Sequence, residues 1–587
     1  MFSNIENVNI LTSVLRNYGV RRVVVCPGSR NAPLVHNFNE LEDVTCYPVT
    51  DERSAGFFAL GLAMGDTSPV AVCVTSGSAL LNLYPAVAEA FYQKLPVIFI
   101  SADRPEAWIG QQDGQTLPQA NVFGTMVNKS VNLPVIPDYF KHDDEAKQFH
   151  DEQAWYCERQ VNEAVIDCAY SKMGPVHINI QIAEPLYHFF AEELPETRRI
   201  DYIQSNLFGG DFRHEDLIDF LNAKKPMIVV GQDYAKPSLS RIKRLDSMAV
   251  TLIEPTALST SGKDIVSASN FEEVLYKVGN KEAYMPDFIL YVGGTLVSKR
   301  LKQFLRKAAT EEGAKVWRVS KDGECIDTFM HLDRIFHADA NQLADAINSF
   351  DQTYKDKVQE YKELWHKALT AAKSHASHYE PPFSSMATVK YFQTEYLDNA
   401  LEDTRECRIF YGNSMSIRLA GIYARQYVHC NRGVNGIEGT LSAAAGLSVY
   451  LSEQHAPETK SQKKVFCILG DLSFFYDQNA LWNQNLNGSL RIIVLNNGGG
   501  AIFGKFKRLK ESAAREKLVM AEHSTSAAHI CQAHDIVYLH ADNTKTMQQG
   551  IDQLIHTESD RPMLLEVFTD IDTDNQAFEE YFKEFEI

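Results

Sequence analysis

The pattern that most constrains the fold is a repeated alternation of short apolar runs with helix-patterned stretches. Each run is rich in Val and Ile and ends on small or oxygen-bearing side chains, as in "VFCILGD" and "RIIVLNN". Apolar runs joined by helical connections predict parallel strands that helices cover on both faces. Because the pattern occurs in three successive parts of the chain, we predict an α/β protein with three parallel sheets, each flanked by helices.

Two charged stretches separate these three parts. The first is "AEELPETRRID" at residues 191–201, and the second runs from Tyr354 to Lys373 and continues into "SHASHYEPPF". A chain of 587 residues exceeds what one hydrophobic core usually serves. The predicted domains therefore cover residues 1–190, 200–352 and 384–587.

Some polar clusters are predicted to carry no function. His366, His375 and His378 lie in the second charged stretch, where we expect a solvated connection and not a metal site. The acidic tail after Asp570 is likewise expected to be a solvated end. "GNSMSIRLAGIYARQY" lacks the Gly-Lys-Ser/Thr of a nucleotide-binding P-loop.

The net charge of −19 argues against nucleic acid or an acidic membrane as a partner. An anionic substrate would have to be bound by a local cluster of cations. The ten cysteines are scattered and form no CxxC pair, which predicts reduced thiols and a cytoplasmic protein. No window approaches the ~18 consecutive apolar residues of a membrane span, so we expect none.

An acid and an amide stand directly after two of the predicted strands. Asp471 follows "VFCILG", and Asn497 follows "RIIVLN" and precedes three glycines. The carboxyl ends of parallel strands meet at one edge of a sheet, so these side chains should converge. Their oxygens and a nearby backbone carbonyl would suit magnesium bound to a diphosphate, and glycines let a backbone approach it closely. On the residues alone, ordinary βα loops rich in Asp and Asn remain an alternative.

A second carboxylate, Glu52, follows a predicted strand and opens a helix in "YPVTDERSAGFFALGLAMG". Such a group can act in proton transfer. The alternative is an acid that only complements the positive end of the helix dipole.

Glu52, the stretch "VTSGSALLN" at 74–82 and the region from Asp471 to Asn497 resemble, in this order, the motifs of thiamine-diphosphate-dependent enzymes. The resemblance implies thiamine diphosphate with Mg²⁺ or Mn²⁺, and a homodimer or dimer of dimers with active sites at the subunit interface. It also implies a pyrimidine-binding domain at 1–190, a central α/β domain at 200–352 and a diphosphate-binding domain at 384–587.

Further stretches resemble one branch of that family, which acts on 2-oxoglutarate and isochorismate in menaquinone biosynthesis. They are "CPGSRNAPL", "TDER", "SADRP", "GQTLPQ", "VSKRL", "GNSMSIR", "NRGVNGIEG" and "GDLSFFYDQNAL". The resemblance implies decarboxylation of 2-oxoglutarate and conjugate addition of the succinyl unit to isochorismate. Two alternatives remain: another 2-oxoacid carboligase such as an acetolactate synthase, and a non-catalytic binding protein of the same fold.

The resemblance also implies roles for individual residues. Glu52 is the expected catalytic residue. The expected cofactor-binding residues are Glu52, Ser414, Arg432, Ile437, Asp471, Ser473, Asn497, Gly499, Ile502 and Phe503. The expected metal ligands are Asp471, Asn497 and the carbonyl of Gly499. The residues expected to bind isochorismate are Ser29, Arg30, Arg104, Gln115, Lys299 and Arg300, and those for the distal carboxylate of 2-oxoglutarate are Ser414 and Arg418.

Overall fold

The computed structural model contains three parallel β-sheets, in agreement with the predicted fold class. It describes residues 1–66, 68–137, 144–203, 212–233, 248–258, 269–349, 357–398, 407–454, 463–502 and 511–587. The sheets lie within the three predicted domain ranges, whose boundaries stay predictions.

The first sheet has the strand order β2-β1-β3-β4-β6-β5. Its strands are β1 (Arg22–Val25), β2 (Thr45–Pro48), β3 (Val70–Val74), β4 (Val97–Asp103), β5 (Ser130–Leu133) and β6 (Val176–Gln181). Its helices are α1 (Glu6–Asn17), α2 (Ala32–Asn39), α3 (Glu52–Gly65), α4 (Ser78–Asn82), α5 (Tyr84–Gln93) and α6 (Asp144–Ala169). The central strands β3 and β4 are buried along their whole length because helices cover both faces.

The second sheet has the order β11-β10-β9-β7-β8. Its strands are β7 (Pro226–Val230), β8 (Val250–Ile253), β9 (Phe288–Val292), β10 (Lys315–Ser320) and β11 (Leu332–His337). The associated helices are α7 (His214–Asn222), α8 (Phe271–Val278), α9 (Lys299–Thr310), α10 (Ala340–Ser349) and α11 (Gln359–His378).

The third sheet has the order β12-β13-β14-β16-β15. Its strands are β12 (Arg408–Tyr411), β13 (Val465–Gly470), β14 (Leu490–Asn496), β15 (Val537–Ala541) and β16 (Met563–Phe568). The described helices around it are α12 (Ser385–Asp398), α13 (Met415–Tyr423), α14 (Thr440–Glu453), α15 (Asp471–Tyr476), α16 (Ala528–Ala533), α17 (Thr544–His556) and α18 (Ile571–Glu584).

The strands β5, β8, β11 and β15 all lie at sheet edges. An edge strand has one neighbour and is often partly exposed, so its sequence need not be continuously apolar. β11 and β15 illustrate this, because most of their residues are half-buried or exposed. The hydrophobic pattern therefore identified the interior of each sheet better than its edges.

Two expectations of solvated segments were wrong. Within the second charged stretch, α11 buries Trp365 completely against the core of the central sheet. The tail after Asp570 forms α18, which buries Tyr581 and Phe582 in the third core. In both helices a narrow apolar face repeats every three to four residues among charged ones, and this face is enough to dock the helix. His375 on α11 lies 2.8 Å from the carbonyl oxygen of Tyr581.

The first, central and third units are the three sheets, each with its own helices. Helix α3 of the first unit packs closely against α14 of the third. A Cβ atom at Gly61 would lie 1.9 Å from the carbonyl oxygen of Ala443, and one at Gly446 would lie 2.0 Å from that of Phe58. The small residues of both helices thus allow the backbones to touch. This contact fixes the first unit against the third within one chain.

No helix in the described ranges is long and apolar enough to cross a membrane.

Candidate active site

Asp471 lies at the carboxyl end of β13 and is 2% exposed. Its Oδ1 accepts a hydrogen bond from the backbone N–H of Leu472 at 2.6 Å. Its Oδ2 accepts from the N–H groups of Gly498 and Gly499 at 2.8 and 3.0 Å. The structure therefore brings the ends of β13 and β14 together around one carboxylate, with Asn497 next to the two donating glycines.

Burial raises the pKa of Asp471, while the backbone N–H groups and His523 act in the opposite direction. A buried carboxylate is costly unless a partner compensates its charge. A divalent cation is such a partner, and it would favour the charged form. The donor set at this edge, one carboxylate with amide and carbonyl oxygens, fits a hard cation that also binds phosphate oxygens.

The amide of Asn497 has a defined orientation. Its Nδ2 donates to Oδ2 of Asp574 at 2.8 Å, and no described residue donates to its Oδ1. That oxygen can bind a cation. The carbonyl oxygen of Gly499 accepts from the N–H of Ala501 at 3.0 Å and retains a second lone pair. No group of three or more His, Cys, Asp or Glu suited to a metal occurs among the described residues, so a cation here would need amide and carbonyl ligands as well.

The loop from Asn431 to Gly439 is held from two sides. Buried Glu89 of α5 accepts from the backbone N–H groups of Gly433 and Val434, both at 2.7 Å. Asn413 donates through Nδ2 to the carbonyl oxygens of Asn431 and Gly436, also at 2.7 Å.

Ile437, within this loop, remains 36% exposed although its backbone is fixed. Its carbonyl oxygen accepts from Oγ of Ser473 at 2.6 Å, which connects the loop to the first turn of α15. An apolar side chain presented on an anchored loop can pack against a flat ligand. Ile502, which follows the Gly498–Gly500 run, is partly buried, and Phe503 lies outside the described residues.

Glu52 begins α3 and is half-buried. Its Oε2 accepts from Nδ2 of Asn82, the last residue of "VTSGSALLN", at 3.1 Å. Within the described chain no hydrogen bond or ion pair connects Glu52 to the Asp471 region. Its neighbour Arg53 does reach the third unit, donating to the carbonyl oxygen of Tyr476 at 2.7 Å.

A first group of cations lies at the carboxyl edge of the first sheet. Arg30 is 7% exposed and donates to the carbonyl oxygen of Ile182 at 3.1 Å. Arg104 donates to Oγ of Ser76 and to the carbonyl oxygen of Gln115, both at 3.3 Å. Its Nε also lies 2.5 Å from an oxygen of Asp113. Ser29 and Gln115 are exposed beside these arginines.

A second group lies at the junction of the central and third units. Lys299, Arg300 and Arg418 line one cavity of about 230 Å³, together with Glu254 and Glu272. Lys299 and Arg300 begin α9, and Arg418 lies on α13. Ser414 is the residue before α13, with a φ of 70°.

Arg300 is held by several contacts. Its guanidinium lies 2.5 Å from a carboxylate oxygen of Glu272. It also lies over the rings of Tyr276 and Phe582, 5.2 Å from each ring centroid. Phe582 belongs to α18, so the C-terminal helix helps to position a cation of the cavity.

Arg432 links the anchored loop to the central unit. It donates to Oδ1 of Asn413 at 3.0 Å and to the carbonyl oxygen of Leu296 at 3.4 Å. Its buried Nε has no partner among the described residues. Among described residues, no hydrogen bond or ion pair joins the group around Arg30 and Arg104 to the group around Arg300 and Arg418.

Sequence patterns missed several residues at these sites. Glu254 lines the cavity of Lys299, Arg300 and Arg418 and accepts from the backbone N–H of Ser298 at 2.9 Å. Burial raises its pKa to about 7. Asp574, Glu272 and His523 were also missed. Each is an ordinary acid or histidine in a segment without a distinctive motif, so only its position in the fold indicates a role.

The three-sheet fold and the oxygen ligands around Asp471, at the carboxyl edge of the third sheet, are those of a thiamine-diphosphate enzyme. Residues 6–122 match the family model described as thiamine pyrophosphate enzyme, N-terminal TPP binding domain. Residues 199–380 match the middle domain of thiamine pyrophosphate enzymes, and residues 413–567 match the C-terminal TPP binding domain.

Curated relatives narrow the class further. A 2-succinyl-5-enolpyruvyl-6-hydroxy-3-cyclohexene-1-carboxylate synthase of Phocaeicola vulgatus is 38% identical, over 99% of both chains. Proteins of the same name from Bacteroides thetaiotaomicron and Christiangramia forsetii are 39% and 33% identical, over 99% and 96% of both chains respectively. The chain belongs to the 2-succinyl-5-enolpyruvyl-6-hydroxy-3-cyclohexene-1-carboxylate synthase family.

Proposed function

We propose that this chain decarboxylates 2-oxoglutarate and adds the succinyl unit to isochorismate, a step of menaquinone biosynthesis. The products are CO₂ and the cyclohexene carboxylate for which its relatives are named. The observation that carries the proposal is the cavity in which Lys299, Arg300 and Arg418 gather. Both substrates are dianions, and a chain with a net charge of −19 needs such a local cluster to bind them.

The third unit would hold the diphosphate end of the cofactor. Asp471, Asn497 and the carbonyl of Gly499 would bind Mg²⁺ or Mn²⁺, and the glycines would let the backbone approach the diphosphate. When bound, thiamine diphosphate supplies the nucleophilic carbon and the electron sink for the reaction. Ile437 would pack against the cofactor from its anchored loop. Ile502, Ser414, Arg432 and Ser473 complete the proposed binding set, together with Phe503, which lies outside the described residues.

Glu52 is the proposed proton-holding residue. Asn82 occupies its Oε2, which leaves Oε1 to share a proton with a ring nitrogen of the aminopyrimidine. The hydrogen bond from Asn82 also fixes the side chain, so the proton is held at a defined atom.

The proposed division of the substrates does not follow the two groups of cations, because Arg418 serves one substrate while Lys299 and Arg300, which line the same cavity, serve the other. Arg418 and Ser414 bind the distal carboxylate of 2-oxoglutarate, because a guanidinium can grip a carboxylate with two parallel hydrogen bonds. The remaining set binds isochorismate and comprises Ser29, Arg30, Arg104, Gln115, Lys299 and Arg300.

A complete site is proposed to need two copies of the chain, as a homodimer or a dimer of dimers. Within one chain, Glu52, Arg30 and Arg104 belong to the first unit, whereas Asp471 and Arg418 belong to the third. Tyr476 and Trp482, which follow Asp471 in the chain, are 51% and 50% exposed. We expect a second copy of the chain to cover these exposed aromatic side chains. The ten free cysteines support a cytoplasmic location.

Product analysis tests the proposed function directly. The purified protein is supplied with 2-oxoglutarate, isochorismate, thiamine diphosphate and Mg²⁺, and products are identified by mass spectrometry. We expect CO₂ and one adduct carrying four carbons of 2-oxoglutarate. In a parallel reaction that also contains pyruvate, an adduct formed from pyruvate with 2-oxoglutarate left intact would instead indicate an acetolactate-synthase-like carboligase.

A further inference from the structure

His523 lies against the Asp471 edge of the third sheet. Its backbone N–H donates to the carbonyl oxygen of Gly498 at 2.9 Å, and its ring meets the ring of Phe475 edge-on, with centroids 5.2 Å apart. The ring Nδ1 accepts from the backbone N–H of Thr525 at 3.1 Å. An accepting Nδ1 carries no proton, so in the neutral ring the proton is on Nε2.

This Nε2–H is buried and donates to no acceptor among the described residues. The closest anionic group is Oδ2 of Asp471 at 3.4 Å. That oxygen already accepts from the N–H groups of Gly498 and Gly499, so both its lone pairs are engaged. A buried donor without an acceptor is unfavourable, and the same atom becomes favourable when a ligand brings an oxygen to it.

We propose that His523 is a further cofactor-binding residue whose Nε2–H donates to an anionic oxygen of the diphosphate. The inference rests on the proposed function, which places the diphosphate and its cation at Asp471. Oxygens that share one magnesium ion lie about 3 Å apart, so diphosphate oxygens stand close to the carboxylate that binds the same ion. His523 is fixed beside that carboxylate with an unused donor.

Titration calorimetry on the full-length protein, freed of cofactor and metal and then given saturating Mg²⁺, tests this role. His523→Ala should raise the Kd for thiamine diphosphate about 10- to 100-fold, the range expected for a hydrogen bond to a charged acceptor. Unphosphorylated thiamine should lose much less affinity, because it lacks the proposed acceptor. His523→Gln, which can place an N–H near the Nε2 position, should recover part of the loss.

Exposed His529, on α16 of the same segment, provides the matched control. His529→Ala should bind thiamine diphosphate like the unaltered chain. An unchanged Kd in His523→Ala, or an equal loss for thiamine and thiamine diphosphate, would overturn the assignment. Asp471→Ala separates this failure from a failure of the proposed site: if only Asp471→Ala loses the cofactor, the site stands and His523 is not part of it. If Asp471→Ala also binds normally, the diphosphate lies elsewhere.

Discussion

The amide nitrogen of Asn497, the residue after β14, donates to the carboxylate of Asp574 on α18 at 2.8 Å. The same carboxylate accepts from the backbone N–H and Oγ of Ser385, both at 2.7 Å, and from Oγ1 of Thr569 at 3.0 Å. Asp574 is 8% exposed and is therefore held firmly. Because its nitrogen is engaged in this way, Asn497 can offer its oxygen to a cation. Partners of this kind orient metal ligands in many proteins.

Asp574→Asn is expected to weaken binding of Mg²⁺. The new amide has one oxygen where the carboxylate has two, so it cannot accept all four hydrogen bonds, and the orientation of Asn497 is no longer fixed. Loss of a partner that orients a ligand typically lowers metal affinity 10- to 100-fold, roughly. The measurement is the Mg²⁺ concentration required for half-maximal binding of thiamine diphosphate.

Ser385→Ala is the control for this substitution, since it removes a hydrogen bond of Asp574 but leaves Asn497 in contact. We expect a small loss of stability and nearly unchanged Mg²⁺ affinity. Equal losses of Mg²⁺ affinity in the two variants would mean that Asp574 acts only by holding α18 in place.

Asp574 also shows what local sequence patterns cannot predict. Residues at the ends of buried strands, such as Asp471, could be predicted because parallel sheets bring those ends together. The tail after Asp570 was interpreted as solvated because charges dominate it, although Tyr581 and Phe582 dock it as α18. The contact between Asn497 and Asp574 depends on that docking, so no local pattern could reveal it.

The cations show a similar limit. Stretches that resemble motifs of the enzyme family indicated Arg104, Arg300 and Arg418 individually. They did not indicate which of these arginines share a cavity. Only the fold, which places residues of α9 and α13 around one cavity, puts Arg300 and Arg418 together. The same cavity includes Glu272, an acid in a segment without a distinctive motif.

Arg418→Ala should impair the use of 2-oxoglutarate, and Arg104→Ala that of isochorismate, because each arginine is proposed to bind a different dianion. Losing a charged hydrogen-bond partner should lower kcat/KM for the affected substrate by a factor of roughly tens to hundreds. Each KM is measured with the other substrate saturating. Lysine at either position should restore only part of the activity, because it lacks the two-pronged geometry.

If each arginine variant affected both substrates equally, the proposed division of the two substrates would be wrong. His529→Ala serves again as a control and should leave both KM values unchanged.

A buried histidine should make stability depend on pH. His177 is fully buried, with ring nitrogens 2.8 Å from Oγ of Ser101 and 3.2 Å from Oγ of Ser130, and burial lowers its pKa from 6.5 to about 3. Below pH 6.5 the unfolded chain binds a proton that the folded chain does not. The free energy of unfolding should therefore fall as the pH is lowered from 6.5 towards 3, by about 1.4 kcal/mol per pH unit from this group.

His177→Gln should remove this contribution, although it lowers stability at neutral pH by disturbing the core. Urea unfolding between pH 6 and pH 4.5, about the range in which His177 is protonated only when unfolded, gives the slope. The same slope in the variant and the unaltered chain would contradict the assignment.

Mixing two inactive variants tests whether one active site draws on two chains. Glu52→Gln removes the proposed proton-holding group of the first unit, and Asp471→Ala removes the only carboxylate proposed for the metal. If a site combines Glu52 of one copy with Asp471 of the other, a mixed dimer contains one site with both groups intact and one with neither. After joint unfolding and refolding at equal concentrations, half of the dimers are mixed, so about a quarter of the original activity should return. Sites built within a single chain would instead leave the mixture as inactive as its parents. Refolding either variant alone provides the baseline, and sedimentation must show dimers in all three samples for the comparison to hold.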